Sequence, residues 1–349
     1  MPFTQRVDQL TAEGAYHMLA RAQAAEATGR HIIHLEIGQP DFPTFANIAQ
    51  AGITAIQNGH TRYPPPAGIP ALREAIARDA GQRRGLTIQA GQVVVAPGAK
   101  PLLFFPLLAL VQPGDEVIYP DPGFPTYLAA IQVAGGVPVP VPLSEEDDVS
   151  FDLARFDAAL SPRTRLVILN SPGNPTGGVM PLRALEHIAG QAARRDFWVL
   201  SDEIYARLVF DGNSAPSIAA LPGMAGRTVI CDGFSKTYAM TGWRLGFGVM
   251  PEALAERVEL LLTHSVGCTA AFTQVAGLEA LAAEPTYLEQ VVRNLLSNAD
   301  KYSPTDTTVD IEVAREGNEA AIRVRDHGVG IEPDEAERIF ERFYRSERT

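Results

Sequence analysis

Residues 233–246 read GFSKTYAMTGWRLG and follow the short apolar run 228–231. The run predicts a buried strand, which places Lys236 at the mouth of that strand among small and aromatic residues. A lysine amine becomes suited to Schiff-base formation when burial or a neighbouring cation lowers its pKa. Arg244, eight residues later, is a candidate for that cation or for a phosphate ligand. The alternative for Lys236 taken alone is a surface lysine after a strand.

Short apolar strands alternate with helical segments around this stretch. The predicted strands are Gln92–Ala96, Asp115–Tyr119, Val137–Val141, Thr164–Leu169, Phe197–Ser201, Thr228–Cys231 and Arg244–Val249. Helical segments between several of them indicate βαβ units, and hence an α/β fold with a doubly wound, mostly parallel sheet. Ligands of such sheets bind beyond the carboxyl ends of the strands. The candidate site therefore lies at that edge.

The N-terminal part combines helices with turn-rich segments. Apolar spacing predicts a helix over Thr11–Thr28, a strand over His31–Ile37 and a second helix over Ala71–Arg84. Gly38 opens a turn-rich segment in which the backbone can approach a ligand closely. Tyr63 precedes a proline run and is expected to be extended.

Two clusters follow the first predicted strands. Gly98, Ala99 and Lys100 open an apolar helix, whose free backbone N–H groups suit a phosphate. The alternative is a glycine that starts the helix for steric reasons. Phe124 follows the next strand, and its ring is a candidate for stacking on a flat cofactor or, alternatively, a core aromatic.

Two further clusters carry polar groups with more specific chemistry. Asn174 lies between Gly173 and Pro175, a setting that makes its amide a rigid donor. Asp202 leaves a buried strand, and an unpaired buried carboxylate is costly, so it needs a partner such as a protonated ring nitrogen. A helix N-cap is the alternative role for Asp202. Tyr205, three residues later, points to the same side if a helical turn begins there.

These clusters stand in the order and with the spacings of one family. Residues from about 15 to 283 resemble the class I/II aminotransferases, the fold-type I enzymes that depend on pyridoxal 5′-phosphate (PLP). The resemblance implies that Lys236 forms the internal aldimine and moves a proton between the substrate α-carbon and the cofactor. It implies that Asp202 pairs with the ring nitrogen, and that Asn174 and Tyr205 bind the phenolic oxygen of the ring.

The remaining positions match the family's other contacts with cofactor and substrate. The resemblance implies that Phe124 stacks on the ring and that Gly38 and Asn174 contact the substrate carboxylate. The expected phosphate contacts are Gly98, Ala99, Lys100, Ser235 and Arg244. Tyr63 matches a tyrosine that reaches the phosphate of the neighbouring subunit, so a homodimer is implied. The implied substrates are an amino acid and a 2-oxo acid.

From about residue 287 the composition changes and a second resemblance begins. Two alternating strands, Val309–Arg315 and Ala320–Arg325, follow a helix predicted over Thr286–Ala299. This part resembles the ATP-binding domain of sensor histidine kinases. The resemblance implies an asparagine box from Asn294 to Asn298, with Asn298 as a magnesium ligand. The other implied nucleotide contacts are Asp326, which would meet the adenine, and the turn glycines Gly328 and Gly330.

The two resemblances together predict the domain organisation. We expect an N-terminal arm with part of the small domain over residues 1–45, a PLP-binding large domain over 46–284, and a partial α/β-sandwich ATPase fragment over 285–349. The family's arginine for the substrate α-carboxylate lies in the part that this chain does not match, so we expect a truncated small domain. The alternatives to amino-group transfer are a non-functional chimera and a nucleotide-binding module.

Composition excludes several classes of partner. The 29 Lys and Arg residues face 41 Asp and Glu residues, a net charge of −12, which argues against nucleic acid or anionic membranes bound by general electrostatics. Cys231 and Cys268 make no disulfide framework and fit a reducing compartment. The N-terminus lacks the apolar core of a signal peptide, and the apolar run Pro101–Val111 is too short to span a bilayer. We therefore predict a cytoplasmic protein.

Overall fold

The computed structural model describes residues 4–331, apart from residues 9, 12, 146–148, 211–213, 283–285, 305, 317–318 and 329. The chain forms two compact units, Met1–Ala282 and Ala283–Thr349. The predicted three-part division into 1–45, 46–284 and 285–349 stays a prediction.

The described part of the first unit alternates helices and strands. Its helices are α1 (Gln5–Asp8), α2 (Gly14–Glu26), α3 (Ala46–Gln57), α4 (Pro70–Arg84), α5 (Pro101–Leu110), α6 (Thr126–Ala134), α7 (Leu153–Ala159), α8 (Leu182–Arg195), α9 (Glu252–Thr263) and α10 (Ala271–Ala282). Its strands are β1 (Val93–Ala96), β2 (Glu116–Asp121), β3 (Val137–Ser144), β4 (Ser150–Phe151), β5 (Thr164–Asn170), β6 (Trp198–Asp202), β7 (Thr228–Gly233) and β8 (Gly246–Val249).

These strands form one eight-stranded sheet in the order β1-β8-β7-β6-β5-β2-β3-β4. The strands β3, β2, β5, β6 and β7 pair in parallel, and β8 is antiparallel to both β7 and β1. Since β8 is reversed against both neighbours, β1 points the same way as β7. The carboxyl ends of β1, β2, β5, β6 and β7 therefore share one edge of the sheet, which confirms the predicted doubly wound, mostly parallel fold.

Helices cover both faces of the sheet and seal its core. One face packs against α5, α6 and α9, with Leu102, Tyr127 and Val258 buried. The other packs against α3, α4 and α10 at one end and against α7 and α8 at the other. The apolar helix α5 is thus a buried core helix, which explains its apolar composition. Within the described residues, no helix is both long and apolar enough to cross a membrane.

The structure departs from the sequence predictions at two places that matter for the site. The strand predicted over His31–Ile37 is wrong: the segment has no regular structure, and Ile33 and Leu35 are 79% and 87% exposed. A strand needs a neighbour to satisfy its N–H and C=O groups, and this segment pairs with none of the described strands. The last strand begins at Gly246 rather than Arg244, because Arg244 has a left-handed backbone (φ 54°) that no regular strand adopts.

The described residues of the second unit form one long helix and a hairpin. Helix α11 spans Thr286–Tyr302, and the strands β9 (Asp310–Glu316) and β10 (Glu319–Arg325) pair antiparallel with Val313 opposite Ile322. Ala299 of the helix is buried. Both strands lie within a residue of their predicted bounds.

Candidate active site

Asp202 is buried at the end of β6 and binds a tyrosine that the sequence reasoning did not assign. Its Oδ2 accepts a hydrogen bond of 2.8 Å from the hydroxyl of Tyr127, and its Oδ1 accepts one of 3.3 Å from the Ile204 N–H. Burial raises the pKa of Asp202 to about 6, although both hydrogen bonds favour the ionised form. Among the described residues no cationic side chain pairs with it, so the carboxylate is suited to a cationic ligand.

Lys236 lies at the end of the neighbouring strand β7, within the turn that follows it. Its Nζ donates to the carbonyl oxygen of Gly38 and lies 5.7 Å from the centre of the Tyr205 ring. Burial lowers the pKa of Lys236, and the nearby Arg244 guanidinium lowers it further. Both causes are those expected for a lysine prepared for Schiff-base chemistry.

The backbone at Gly98 makes a close-fitting cradle with Arg244. Gly98 has a φ of +90°, and a Cβ placed there would come within 2.1 Å of Nη2 of Arg244. A Cβ on Gly246 would in turn come within 2.4 Å of the Gly98 carbonyl carbon. Arg244 Nη1 donates to the Thr241 carbonyl at 2.9 Å, which fixes the guanidinium beside the segment that opens α5. The Gly98 N–H itself donates to the Ala96 carbonyl at 2.8 Å, so the groups suited to a phosphate are the guanidinium and the N–H groups of Ala99 and Lys100.

An asparagine pair connects the ends of β5 and β6. Asn170 Nδ2 donates to the Asp202 carbonyl at 3.1 Å, and Asn170 Oδ1 accepts from the Asn174 N–H at 2.7 Å. Asn170 therefore holds the loop of Asn174 against the strand end that carries Asp202. No role is predicted for Asn170 from the sequence, because the last position of a strand carries no signal of these partners.

Phe124 and Lys100 lie together on the α6 side of the edge. The Phe124 ring packs edge-on against Tyr127, with centroids 5.7 Å apart, and Lys100 Nζ lies 5.3 Å from its centre. Phe124 is thus partly a core aromatic, as the alternative held, while remaining only half-buried. Lys100 Nζ also pairs with the Glu13 carboxylate just before α2, and Glu13 accepts from the Thr126 hydroxyl at 3.1 Å.

The other predicted positions differ in their surroundings. Ser235 is buried, Ala99 is half-buried and Tyr63 is 98% exposed. A cavity of about 680 Å³ lies beside Arg244, bounded by the segment after Gly38 and by residues around Thr269. Its volume is in the range of small-molecule sites.

The nucleotide site predicted in the second unit is described only in part. The Gly328 N–H donates to Asp326 Oδ1 at 2.8 Å, and Gly328 lies so close to the Tyr302 carbonyl oxygen that a Cβ would come within 2.6 Å. Gly330 has a left-handed backbone, and Asn298 is exposed. The side chain of Asn294 lies outside the described residues. Within the described ranges, no group of three or more metal-ligating side chains occurs.

The residues at the edge of the first unit fit PLP. A buried carboxylate that pairs with no cation among the described residues is present for a protonated ring nitrogen, a lysine with a lowered pKa for an aldehyde, and a glycine cradle with a guanidinium for a phosphate. All three stand at the ends of strands that share one edge of the sheet. Fold and site together define a PLP-dependent enzyme of the doubly wound type.

Comparison with known proteins identifies the family. The model of the aminotransferase class I and II family matches residues 30–304, and a histidine kinase-, DNA gyrase B- and HSP90-like ATPase model matches residues 283–349. The chain belongs to the aminotransferase class I and II family, whose members depend on PLP. The match reaches past the predicted limit at residue 283 and overlaps the ATPase match.

Individual relatives agree with this assignment. An arginine–pyruvate transaminase of Pseudomonas aeruginosa is 40% identical over 82% of this chain and 72% of its own length. An aromatic-amino-acid aminotransferase of Thermococcus litoralis is 36% identical over 82% of this chain and 73% of its own. This chain covers 66% of the length of a Bacillus subtilis aminotransferase, to which it is 41% identical.

A solved structure agrees as well. Aspartate aminotransferase of Thermus thermophilus with maleate superposes with a TM-score of 0.80 and 33% identity over 86% of this chain and 78% of that one. The predicted family, fold, enzyme class and cofactor are confirmed. Nothing in these relatives supports the alternatives of an inactive chimera or a nucleotide-binding module.

Proposed function

We propose that this chain binds PLP at the ends of β6 and β7 and transfers an amino group between an amino acid and a 2-oxo acid through Lys236. One observation carries the proposal: Asp202 is 5% exposed and hydrogen-bonded, yet pairs with no cationic side chain among the described residues. A carboxylate buried in this way is costly to ionise unless a cation pairs with it. The pyridine nitrogen of PLP, when protonated, supplies one.

The cofactor, when bound, supplies an electron sink for negative charge at the substrate α-carbon. The other tasks belong to the chain. Asp202 would hold the ring nitrogen in its protonated form, Arg244 and the N–H groups that follow Gly98 would hold the phosphate, and Lys236 would carry the proton to and from the substrate. Burial and the neighbouring Arg244 lower the pKa of Lys236, which favours the unprotonated amine that accepts a proton.

Ring and substrate contacts complete the proposed site. Phe124 would stack on the ring, and Tyr205 and Asn174 would bind its phenolic oxygen. The Gly38 backbone would contact the substrate carboxylate. The carbonyl of the same residue already accepts a hydrogen bond from Lys236. Ala99, Lys100 and Ser235 line the phosphate end.

A homodimer is part of the proposal, with Tyr63 reaching the phosphate of the second copy. Two observations support it: Tyr63 has almost no contact with its own unit, and the N-terminal segments expose large apolar side chains. These include Val7, Tyr16, Ile33 and Leu35. Exposed apolar surface of this kind is typical of an interface. We keep the cytoplasm as the predicted location.

A spectroscopic titration tests the proposed function. Purified protein is loaded with PLP and mixed in turn with aspartate, arginine, an aromatic amino acid and D-alanine as a control. We expect one L-amino acid to bleach the cofactor band and a 2-oxo acid to restore it. If no amino acid changes the spectrum although PLP is bound, amino-group transfer is contradicted. Binding without turnover would leave only the cofactor assignment standing.

A further inference from the structure

A buried ion triad lies behind the proposed active site, on the opposite face of the sheet. Arg84, the last residue of α4, donates through Nε to Glu203 at 2.8 Å and through Nη2 to Asp232 at 3.0 Å. All three side chains are at most 6% exposed. Two carboxylates thus share one guanidinium, and the triad carries a net negative charge away from water.

The triad connects the two strand ends that carry the proposed catalytic groups. Asp202 is the last residue of β6 and Glu203 directly follows it, while Asp232 lies on β7 just before the turn of Lys236. In the β6–β7 register Asp202 stands opposite Cys231, so alternation along β7 turns Asp232 to the other face. The planar guanidinium of Arg84 therefore bridges the neighbouring strands β6 and β7, directly behind the edge where cofactor and lysine would meet.

Further contacts make the triad a rigid unit. Ser201 and Ser217 donate to Glu203 Oε1 at 2.9 and 2.6 Å, and the Gly233 N–H donates to Asp232 Oδ1 at 2.7 Å. Arg83 Nη2 lies 3.5 Å from Asp232 and 2.7 Å from Asp79. Every oxygen of the two buried carboxylates therefore has a partner.

A role in stability alone explains this arrangement poorly. Burying three charges costs solvation free energy that their attraction only offsets, and a well-packed apolar cluster of similar volume often stabilises as much. The better-attested use of such groups is to fix geometry and register. Arg207 extends the same network from Asp79 to the hydroxyl of Tyr238, two residues after Lys236.

We propose that Arg84 is a positioning residue for amino-group transfer. It holds Asp202 and Lys236 in register through Glu203 and Asp232. It also sets the net negative charge of the triad beside the active site. The inference rests on the proposed function, since it assigns a task relative to bound PLP. The charges of Glu203 and Asp232 already act on Asp202, because both raise its pKa. Arg84 limits that effect.

The test is the pH dependence of the cofactor's visible absorbance in the PLP-loaded enzyme, with thermal unfolding of each cofactor-free variant recorded alongside. Arg84→Met leaves Glu203 without its cation and Asp232 with Arg83 alone at 3.5 Å, so protonated groups in the site become more stable and the absorbance midpoint moves up by about one pH unit. Asp232→Asn removes a negative charge and moves the midpoint down. Arg84→Lys keeps the charge without the fork, so its midpoint stays near wild type while kcat falls and KM changes little.

Arg78→Met is the matched control, since Arg78 is an exposed residue of the same helix, and its midpoint equals that of the wild type. Opposite shifts for Arg84→Met and Asp232→Asn support the inference. If Arg84→Met does not fold, the downward shift of Asp232→Asn carries the test alone. Lowered melting temperatures with unmoved midpoints would show a purely structural role and overturn the inference. A wild type that binds no PLP contradicts the proposed function itself, a failure visible before any variant is made.

Discussion

Tyr127 and Asp202 form a buried hydrogen bond of 2.8 Å between the phenolic hydroxyl of helix α6 and the carboxylate at the end of strand β6. The bond crosses from the helix layer to the sheet, and both residues are at most 5% exposed. It favours the ionised form of Asp202 against the burial that opposes it. The tyrosine therefore keeps the carboxylate available as a partner for a cationic ring nitrogen.

Tyr127→Phe removes this donor without changing the shape of the core. We expect the pKa of Asp202 to rise above about 6 and PLP to bind about tenfold more weakly, since a hydrogen bond to a charged group contributes about 1.5 kcal/mol or more. The measurement is PLP affinity by absorbance titration. Tyr119→Phe, a half-buried tyrosine of β2, is the control, and equal effects of the two substitutions would contradict the account.

Asp202→Asn tests the cost of burying the charge. The pKa of Asp202 is about 6 in the folded chain, higher than its ordinary value of 3.8. Between these two pH values the folded state therefore binds more protons than the unfolded state. Stability from this group is therefore greatest at low pH and is lost as pH rises towards 6. The substitution should raise the free energy of unfolding of cofactor-free protein by about 3 kcal/mol at pH 8 and by less below pH 6.

Denaturant unfolding at pH 5 and pH 8 measures this difference. Asp310→Asn, at an exposed acid of β9, should show no such pH-dependent gain. A gain for Asp202→Asn that is the same at both pH values would mean that the pKa of Asp202 is not raised.

Gly98→Ala should disrupt the phosphate cradle. The new Cβ would fall 2.1 Å from Arg244 Nη2, so the guanidinium must move, and PLP affinity should fall at least about tenfold. Gly114→Ala is a close control, because Gly114 has a φ of +96° with no atom within 4 Å of a Cβ. Both substitutions carry backbone strain of about 1 kcal/mol, so only the loss of PLP affinity separates them. Similar affinities in the two variants would argue against this cradle.

Subunit mixing tests whether Tyr63 acts across a dimer. Tyr63→Ala and Lys236→Ala should each be nearly inactive as pure proteins. After unfolding and refolding together, hybrid dimers contain one site with both wild-type residues, so about a quarter of wild-type activity should return. If the mixture merely averages its parents, Tyr63 does not serve a neighbouring site. Separate refolding followed by brief mixing is the control.

Most of the sheet was predictable because its strands are short, apolar and bounded by turns. Every strand predicted between Gln92 and Val249 has a counterpart, and the polar residues that follow them meet at one edge of the sheet. The segment His31–Ile37 was wrong because its apolar residues suggested a strand, while strand formation depends on a neighbour that sequence pattern cannot reveal. The left-handed Arg244 shortened the last strand for a local reason that its residue type does not signal.

Residues that act through other residues were harder to predict. Tyr127 lies in the first turn of α6, a position that does not indicate contact with a carboxylate on a strand 75 positions away in sequence. Arg84 ends an ordinary amphipathic helix, and its two acidic partners lie 119 and 148 residues further along the chain. Only the fold brings such groups together.

The central claim is that Lys236 holds the cofactor, and one measurement tests it most directly. The PLP-loaded chain is reduced with borohydride, digested, and each lysine peptide is weighed by mass spectrometry. We predict that the pyridoxyl label is on Lys236 alone and disappears in Lys236→Ala, while Lys100→Ala keeps it. Label absent from Lys236, or carried equally by Lys100, would contradict the account.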